Sequence, residues 1–186
     1  ITHGEGVFDV FSRKGKFQAP RLVLAAGLGN HKLAPLIGLK QPVRPQKGQI
    51  LVTQKIDKLI DVPMTLLRQT AEGSIMIGDS KEEVGFDISS SIDIMAQIAD
   101  RARRTLPVLE KQQIIRSWAA LRVMSPDGFP IYDQSESCPG GFAITCHSGV
   151  TLAAAHCFDM AADIEAGNFG VGLQAFTERR FDVSAH

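Results

Sequence analysis

Trp118-Ala-Ala-Leu-Arg-Val-Met-Ser-Pro-Asp-Gly-Phe-Pro-Ile-Tyr132 decides how this chain is read. Residues 114 to 123 are apolar and β-prone, and Ser125-Pro126-Asp127-Gly128 carries strong turn chemistry. The stretch therefore predicts a strand, a turn and a second short strand from Phe129 to Tyr132. Arg122 stands near the end of the first strand, flanked by Leu121, Val123 and Met124. A guanidinium in such surroundings is costly to bury unpaired, so it must reach solvent, a carboxylate or an anionic ligand. It can hold a substrate carboxylate in a bidentate fork, a geometry lysine does not offer. It can equally form a structural ion pair, for instance with Asp127 or Asp133. The sequence leaves both open.

Working outward, Gly141 to Thr145 reads as another strand, followed by Cys146-His147-Ser148-Gly149-Val150-Thr151 and a helix from Val150 to Ala166, stopped by Gly167. Ser148 or Gly149 is expected at its N-terminal boundary. The first turn of a helix presents unpaired amides and the positive end of its dipole, which suits an anion as well as it suits an ordinary cap. Cys146 reads as a small buried hydrophobe. The tail from Phe169 onward is mixed, with a short helix near Leu173 to Phe176.

Upstream, Gly4 to Gln18 reads as a hairpin turning at Arg13-Lys14-Gly15-Lys16. Arg21-Leu-Val-Leu-Ala-Ala-Gly27 is a short apolar run ending in small residues, as in a buried strand of a parallel sheet. Small residues at Gly27-Leu28-Gly29 admit a cofactor phosphate or simply another backbone. The fingerprint G-x-G-x-x-G is absent there, which disfavours a nicotinamide-dependent dehydrogenase. His31 to Ile37 is a short helical piece, Pro42 to Pro45 an extended crossing, and Gly48 to Thr53 a strand. Pro63 to Thr70 and Ser74 to Gly78 form a hairpin around Glu72-Gly73. Ser89 to Leu106 is the clearest amphipathic helix, with Ile92, Met95, Ile98 or Ala99, Ala102 and Leu106 on one face. Ser90 with Asp93 resembles a capping box, and Pro107 marks the end. Arg101, Arg103 and Arg104 read as its solvated face. The pattern predicts an α+β fold with a mixed, mainly antiparallel sheet and one long helix.

Lys and Arg number 20, as do Asp and Glu, so the formal net charge is zero. Such a balance gives no reason to expect a nucleic-acid partner or an anionic membrane surface. Apolar runs such as Leu22 to Leu28 are too short to span a bilayer, and no secretory signal is visible. Cys138, Cys146 and Cys157 lack metal-ligand spacing, as do His147 and His156, so no metal is expected and reduced thiols in a cytoplasm are the simplest reading.

Five segments in this order resemble the C-terminal part of the FAD-dependent D-amino-acid oxidase-like oxidoreductases, of glycine oxidase, sarcosine oxidase, D-hydroxyproline dehydrogenase and opine oxidase type. They are Leu22 to Gly27, Pro42 to Gln49, Ile77-Gly-Asp-Ser80 with Gly85-Phe-Asp87, Trp118 to Ile131, and Cys146-His147-Ser148-Gly149. The resemblance implies residues 1–45 as the remnant of an FAD-binding α/β domain, 46–146 as a substrate-binding domain, and 147–186 as a return helix and tail packing on the FAD-binding domain. It implies oxidation of a C–N bond in an amino acid or secondary amine, with hydride passing to FAD. Arg122 would clamp the substrate carboxylate, with Arg68 and Thr70 completing the pocket. Gly27, Leu28, Gly48, His147, Ser148, Gly149, Val150 and Thr151 would line the flavin. No residue is singled out as catalytic, which fits chemistry that relies on positioning.

The sequence departs from the family in carrying Cys146 where many members have glycine, and Thr151 where glycine oxidase-like members have glycine. The family's N-terminal third is absent from the 186 residues, which read as a piece of a larger protein. FAD is therefore expected in the full-length protein and only weakly, or not at all, on this chain alone. The expected partners are the missing N-terminal segment, a small amine and further dehydrogenase subunits. The alternative is a substrate-binding or subunit-interaction module without cofactor or turnover.

Overall fold

The computed structural model describes residues 1–182. In chain order the strands are β1 (Thr2–Gly4), β2 (Val7–Ser12), β3 (Gly15–Ala19), β4 (Leu22–Leu24), β5 (Arg44–Lys55), β6 (Leu67–Gln69), β7 (Ser74–Ile77), β8 (Ile114–Met124), β9 (Ile131–Gln134) and β10 (Gly141–Thr145). The α-helical segments are α1 (Asn30–Leu33), α2 (Ile92–Thr105), α3 (Ala153–Ala155) and α4 (Ala161–Ala166). The chain divides into two compact units, residues 1–44 with 123 onward, and Pro45–Arg122. β10 pairs with β4 and β9 with β10, which carries residues 123–146 into the first unit.

In the first unit, β1, β2 and β3 form an antiparallel meander, and β4, β10 and β9 form a mixed sheet. β4 runs parallel to β10, with Val23 opposite Phe142 and Leu24 opposite Ala143. Phe8, Leu24, Ala34, Ile37, Leu39 and Ala143 make the core of this unit. The turn after β8 holds as expected: Asp127 Oδ1 accepts the Phe129 amide at 3.0 Å, and Gly128 has φ +81°.

In the second unit the strand order is β6-β7-β5-β8, antiparallel where β6, β7 and β5 pair. Side chains alternate between the faces of a strand. Leu51, Leu67, Ile75 and Ile77 accordingly pack with Ile98, Ala102 and Leu109 from α2 and the turn beyond it. Met95, Ala99 and Leu106 pack against this cluster as the helical period requires. Ile92, assigned to the same face, is instead 77% exposed, because it lies in the first turn, beyond the sheet's reach. The capping box does not form. Ser91 is the N-cap without a side-chain cap bond, and its amide goes to Gln49 Oε1 of β5 at 3.0 Å.

The helix expected from Val150 begins at Ala153, after a run of turns, and contains a π-helical turn, His156–Met160, between α3 and α4. Leu152 is its N-cap and no side chain caps it; Ser148 Oγ faces His147 Nδ1 at 3.3 Å instead. The stop at Gly167 is as read, with φ +93° and its amide bonded to Asp163 O. The tail carries a 3-10 turn over Val171–Phe176.

Asn30 ties the parallel strands together. Its side chain is fully buried, and Nδ2 donates to Leu24 O at 2.9 Å, Ile144 O at 3.1 Å and Thr145 Oγ1 at 2.7 Å. Its Oδ1 accepts the Ala26 amide at 3.0 Å. Asn30→Ala strands several buried polar groups at once and should destabilise the first unit by roughly 2–4 kcal/mol in urea unfolding. Asn30→Asp should cost more, because it turns an acceptor toward the two carbonyl oxygens.

Asp133 on β9 is 5% exposed, with Oδ2 accepting Gln41 Nε2 at 2.8 Å and Oδ1 accepting the Glu178 amide at 3.1 Å. Burial, more than any neighbouring charge, pushes its carboxyl up to about 6 from 3.8. A carboxyl whose pKa is raised on folding favours the folded state when protonated. Its contribution is full below about 3.8 and is lost as pH rises through about 6. Asp133→Asn, uncharged throughout, should gain on the wild type between pH 4 and pH 8, by on the order of 2 kcal/mol in urea midpoints converted to free energy.

Candidate functional site

In the first unit β4 and β10 are adjacent and parallel, so their carboxyl ends open on the same edge of the sheet. Such edges are where α/β sheets place ligands. Gly27 and Leu28 follow β4 there, and Cys146 to Thr151 follow β10. The structure thus brings together seven of the sequence-designated cofactor residues: Gly27, Leu28, His147, Ser148, Gly149, Val150 and Thr151. Gly27 has φ +55°, and a Cβ on it would meet Val123 Cγ2 at 3.3 Å, so glycine suits this position on two counts. His147 through Thr151 are exposed, Val150 to 95%. The hydrogen-bonded turns start with the Leu152 amide donating to Ser148 O at 3.0 Å. Exposed amides ahead of a helix, beside a glycine that lets a ligand approach the backbone, fit a flavin's ring and chain; the G-x-G-x-x-G turn that would hold a pyrophosphate is absent.

Beside this edge, a cavity of about 580 Å³ is lined by Phe129, Tyr132, Leu152, His156, Met160 and Phe176, among others, together with His147, Ser148 and Thr151. Tyr132 Oη lies 2.8 Å from His156 Nε2, and burial pushes the phenol up to about 12. Burial also raises the Cys146 thiol, which keeps it protonated and in character with a small hydrophobe. Among the described residues no group of three or more His, Cys, Asp and Glu side chains is arranged to hold a metal ion. Nor is any described helix long and apolar enough to cross a membrane.

In the second unit, Gly48, Ile50 and Val52 alternate away from the α2 face, and β7 places Met76 opposite Val52. Arg122 lies against Gly48, where a Cβ would collide with the guanidinium. Gly48, designated for the flavin, therefore also makes room for the arginine. Arg122 Nη2 pairs with Asp79 Oδ2 at 2.5 Å, while Nη1 donates to Ser80 O at 2.9 Å and Lys47 O at 3.4 Å. Neither acid considered from sequence is its partner. Asp127 is taken by Arg180 at 2.8 Å, and Asp133 by Gln41 and the Glu178 amide. Arg68 is exposed, with Nη2 3.2 Å from Met76 Sδ. Thr70 closes the β6–β7 turn, its amide donating to Ser74 O at 2.8 Å. Arg103 and Arg104 pair with Asp100 on the exposed side of α2.

Three residues of consequence escaped the sequence reading. Asp79 sits in the quoted Ile77 to Ser80 segment but gave no spacing signal toward Arg122, 43 residues away. Asn30 carries no sequence signal for the buried, four-bonded side chain that the structure shows. Lys47 is 3% exposed, an exception for lysine, and reaches Asp87 at 2.8 Å and Glu82 at 3.3 Å. Asp87 is held down to about 2, chiefly by its bond from Lys47.

The chain is 48% identical to an opine oxidase subunit of Agrobacterium tumefaciens (strain Ach5) over 97% of its length and 47% of that protein. It is 29% identical to glycine oxidase of Pseudomonas aeruginosa over 90% of its length, again 47% of the relative. The chain thus spans about half the length of these curated relatives. Among solved structures, L-proline dehydrogenase from P. horikoshii superposes with a TM-score of 0.83 over 94% of this chain and 50% of that one; its 22% identity bears on fold alone. Residues 1–162 match the DAO family of FAD dependent oxidoreductases, and the chain belongs to that family.

Proposed function

We propose that the chain is part of a flavin-dependent dehydrogenase or oxidase that oxidises the C–N bond of an amino acid or secondary amine. The observation that carries this reading is Arg122, a partly exposed guanidinium (21%) at the end of β8, backed by Gly48. A planar donor fork at the end of a rigid strand suits a carboxylate. The names of the relatives, an opine oxidase subunit and glycine oxidase, support an amino-acid or N-substituted amino-acid substrate, and the first also supports a multi-subunit assembly.

FAD, when bound, supplies a two-electron acceptor for the substrate's α-hydrogen. Arg122 holds the carboxylate, and Arg68 and Thr70 add polar contacts. Gly27 and Leu28 let the cofactor approach the backbone, and the exposed turns from Ser148 to Thr151, ahead of the helix, offer backbone amides to negative charge on it. Gly48 contributes its missing side chain to both purposes.

In the flavin-loaded protein, Arg122→Ala should raise KM for the amino-acid substrate about tenfold to a hundredfold, as expected for the loss of a charge-assisted fork. Arg122→Lys should rescue poorly, and flavin content should hardly change. Steady-state kinetics beside thermal unfolding checks this: a destabilised variant with unchanged KM would mean that the arginine serves only its ion pair.

A further inference from the structure

The Arg122–Asp79 pair carries more than a counter-ion's role. A guanidinium has five N–H donors. Arg122 spends both Nη1 donors on Ser80 O and Lys47 O, and one Nη2 donor on Asp79 Oδ2. Its Nε–H and second Nη2–H have no acceptor among the described residues. Nε–H and Nη2 flank one edge of the planar fork, the edge that can take a carboxylate side-on. Asp79 Oδ1 likewise accepts nothing among the described residues. Arg122 and Asp79 are 21% and 36% exposed, so the pair is open on one side to solvent. A solvent-open edge of the guanidinium thus stands beside a carboxylate oxygen that has no protein partner among the described residues.

We infer that Asp79 is a specificity-determining residue: with Arg122 it selects a zwitterionic α-amino or N-substituted amino acid, Arg122 taking the carboxylate and Asp79 Oδ1 the ammonium N–H. In such a ligand the carboxylate carbon and the nitrogen are attached to the same carbon, which matches a cation and an anion in direct contact. A bare carboxylate meets the same donors but also the repulsion of Asp79, with no ammonium of its own to offset it. The pair is neutral as a whole, and so is the ligand it favours. Arg122 stands near the end of β8, and Asp79 lies in the irregular segment just beyond β7, whose Ser80 and Glu82 are bonded to Gln49 of β5. This inference rests on the reading of Arg122 as the carboxylate anchor.

Isothermal calorimetry on the protein, with N-methylglycine as the zwitterion and propanoate as the bare carboxylate, tests it. The wild type should bind N-methylglycine about tenfold more tightly than propanoate, the value of one charge-assisted hydrogen bond. Asp79→Asn, which keeps an oxygen for Arg122, should bring the ratio close to one without weakening propanoate, and Asp79→Glu should retain the preference. An unchanged ratio in Asp79→Asn, while Arg122→Ala loses both ligands, overturns the role of Asp79 and leaves the arginine anchor standing. Loss of both ligands in Asp79→Asn together with a lowered Tm makes Asp79 a structural support and also overturns it. Unaltered binding in Arg122→Ala, or no binding of either ligand by the wild type, overturns the anchor reading itself.

Discussion

The parallel pairing of Leu22–Leu24 with Gly141–Ala143 is the constraint on which the first unit depends. It joins segments more than a hundred residues apart, and a contact at such separation is entropically expensive to close. Asn30 offsets that cost locally. It bonds the last carbonyl of one strand, a carbonyl and a hydroxyl near the end of the other, and the amide of Ala26 beyond the first. Once these strands are paired, residues 45–122 are an excursion that must find a core of its own, and they find it between the β6-β7-β5-β8 sheet and α2. The same pairing aligns the two carboxyl ends, so the edge that gathers Gly27 and the exposed turn after β10 follows from the topology.

The second unit is organised by cations where a core would ordinarily have none. Lys47 points inward and is satisfied by Asp87, Glu82 and Ser89 O, while Gln49, also buried, bridges Glu82 and the start of α2. A buried ammonium is tolerable only when paired and hydrogen-bonded in this way. The network pins the irregular segment after β7 to β5. That segment holds Asp79 and Ser80, the partners of Arg122, so the polar core beneath positions the open pair above it.

Much of this was legible in the sequence because periodicity reports burial. The helical period of α2 and the small-residue end of β4 each announced an element, and Ser-Pro-Asp-Gly announced a turn. The misses share a physical origin: they depend on partners remote in sequence. Ser90 and Asp93 look like a local cap, but Gln49, from another strand, takes the Ser91 amide. Ser148 looks like an N-cap, yet its hydroxyl turns to His147 and the helix waits until Ala153. Among site residues, Arg122 was visible as a cation out of place, and the glycines as gaps. Asp79 was invisible, since an acid next to a turn is ordinary until its partner is known.

The two sequence readings of Arg122, structural ion pair or carboxylate clamp, turn out not to exclude each other. A lysine would have to choose, since one ammonium tightly paired has little directional capacity left. A guanidinium divides its donors by direction. One nitrogen of Arg122 bonds the backbone, a second reaches Asp79, and an edge remains unspent. Anchoring at Ser80 O and Lys47 O fixes the plane of the group before any ligand arrives, which lowers the ordering cost of binding. Gly48 beneath it is the other half of that arrangement, because any side chain there would displace the guanidinium from the strand. The ion pair is thus the means by which a flexible arginine becomes a rigid fork, and that structural role is what the proposed carboxylate clamp would require.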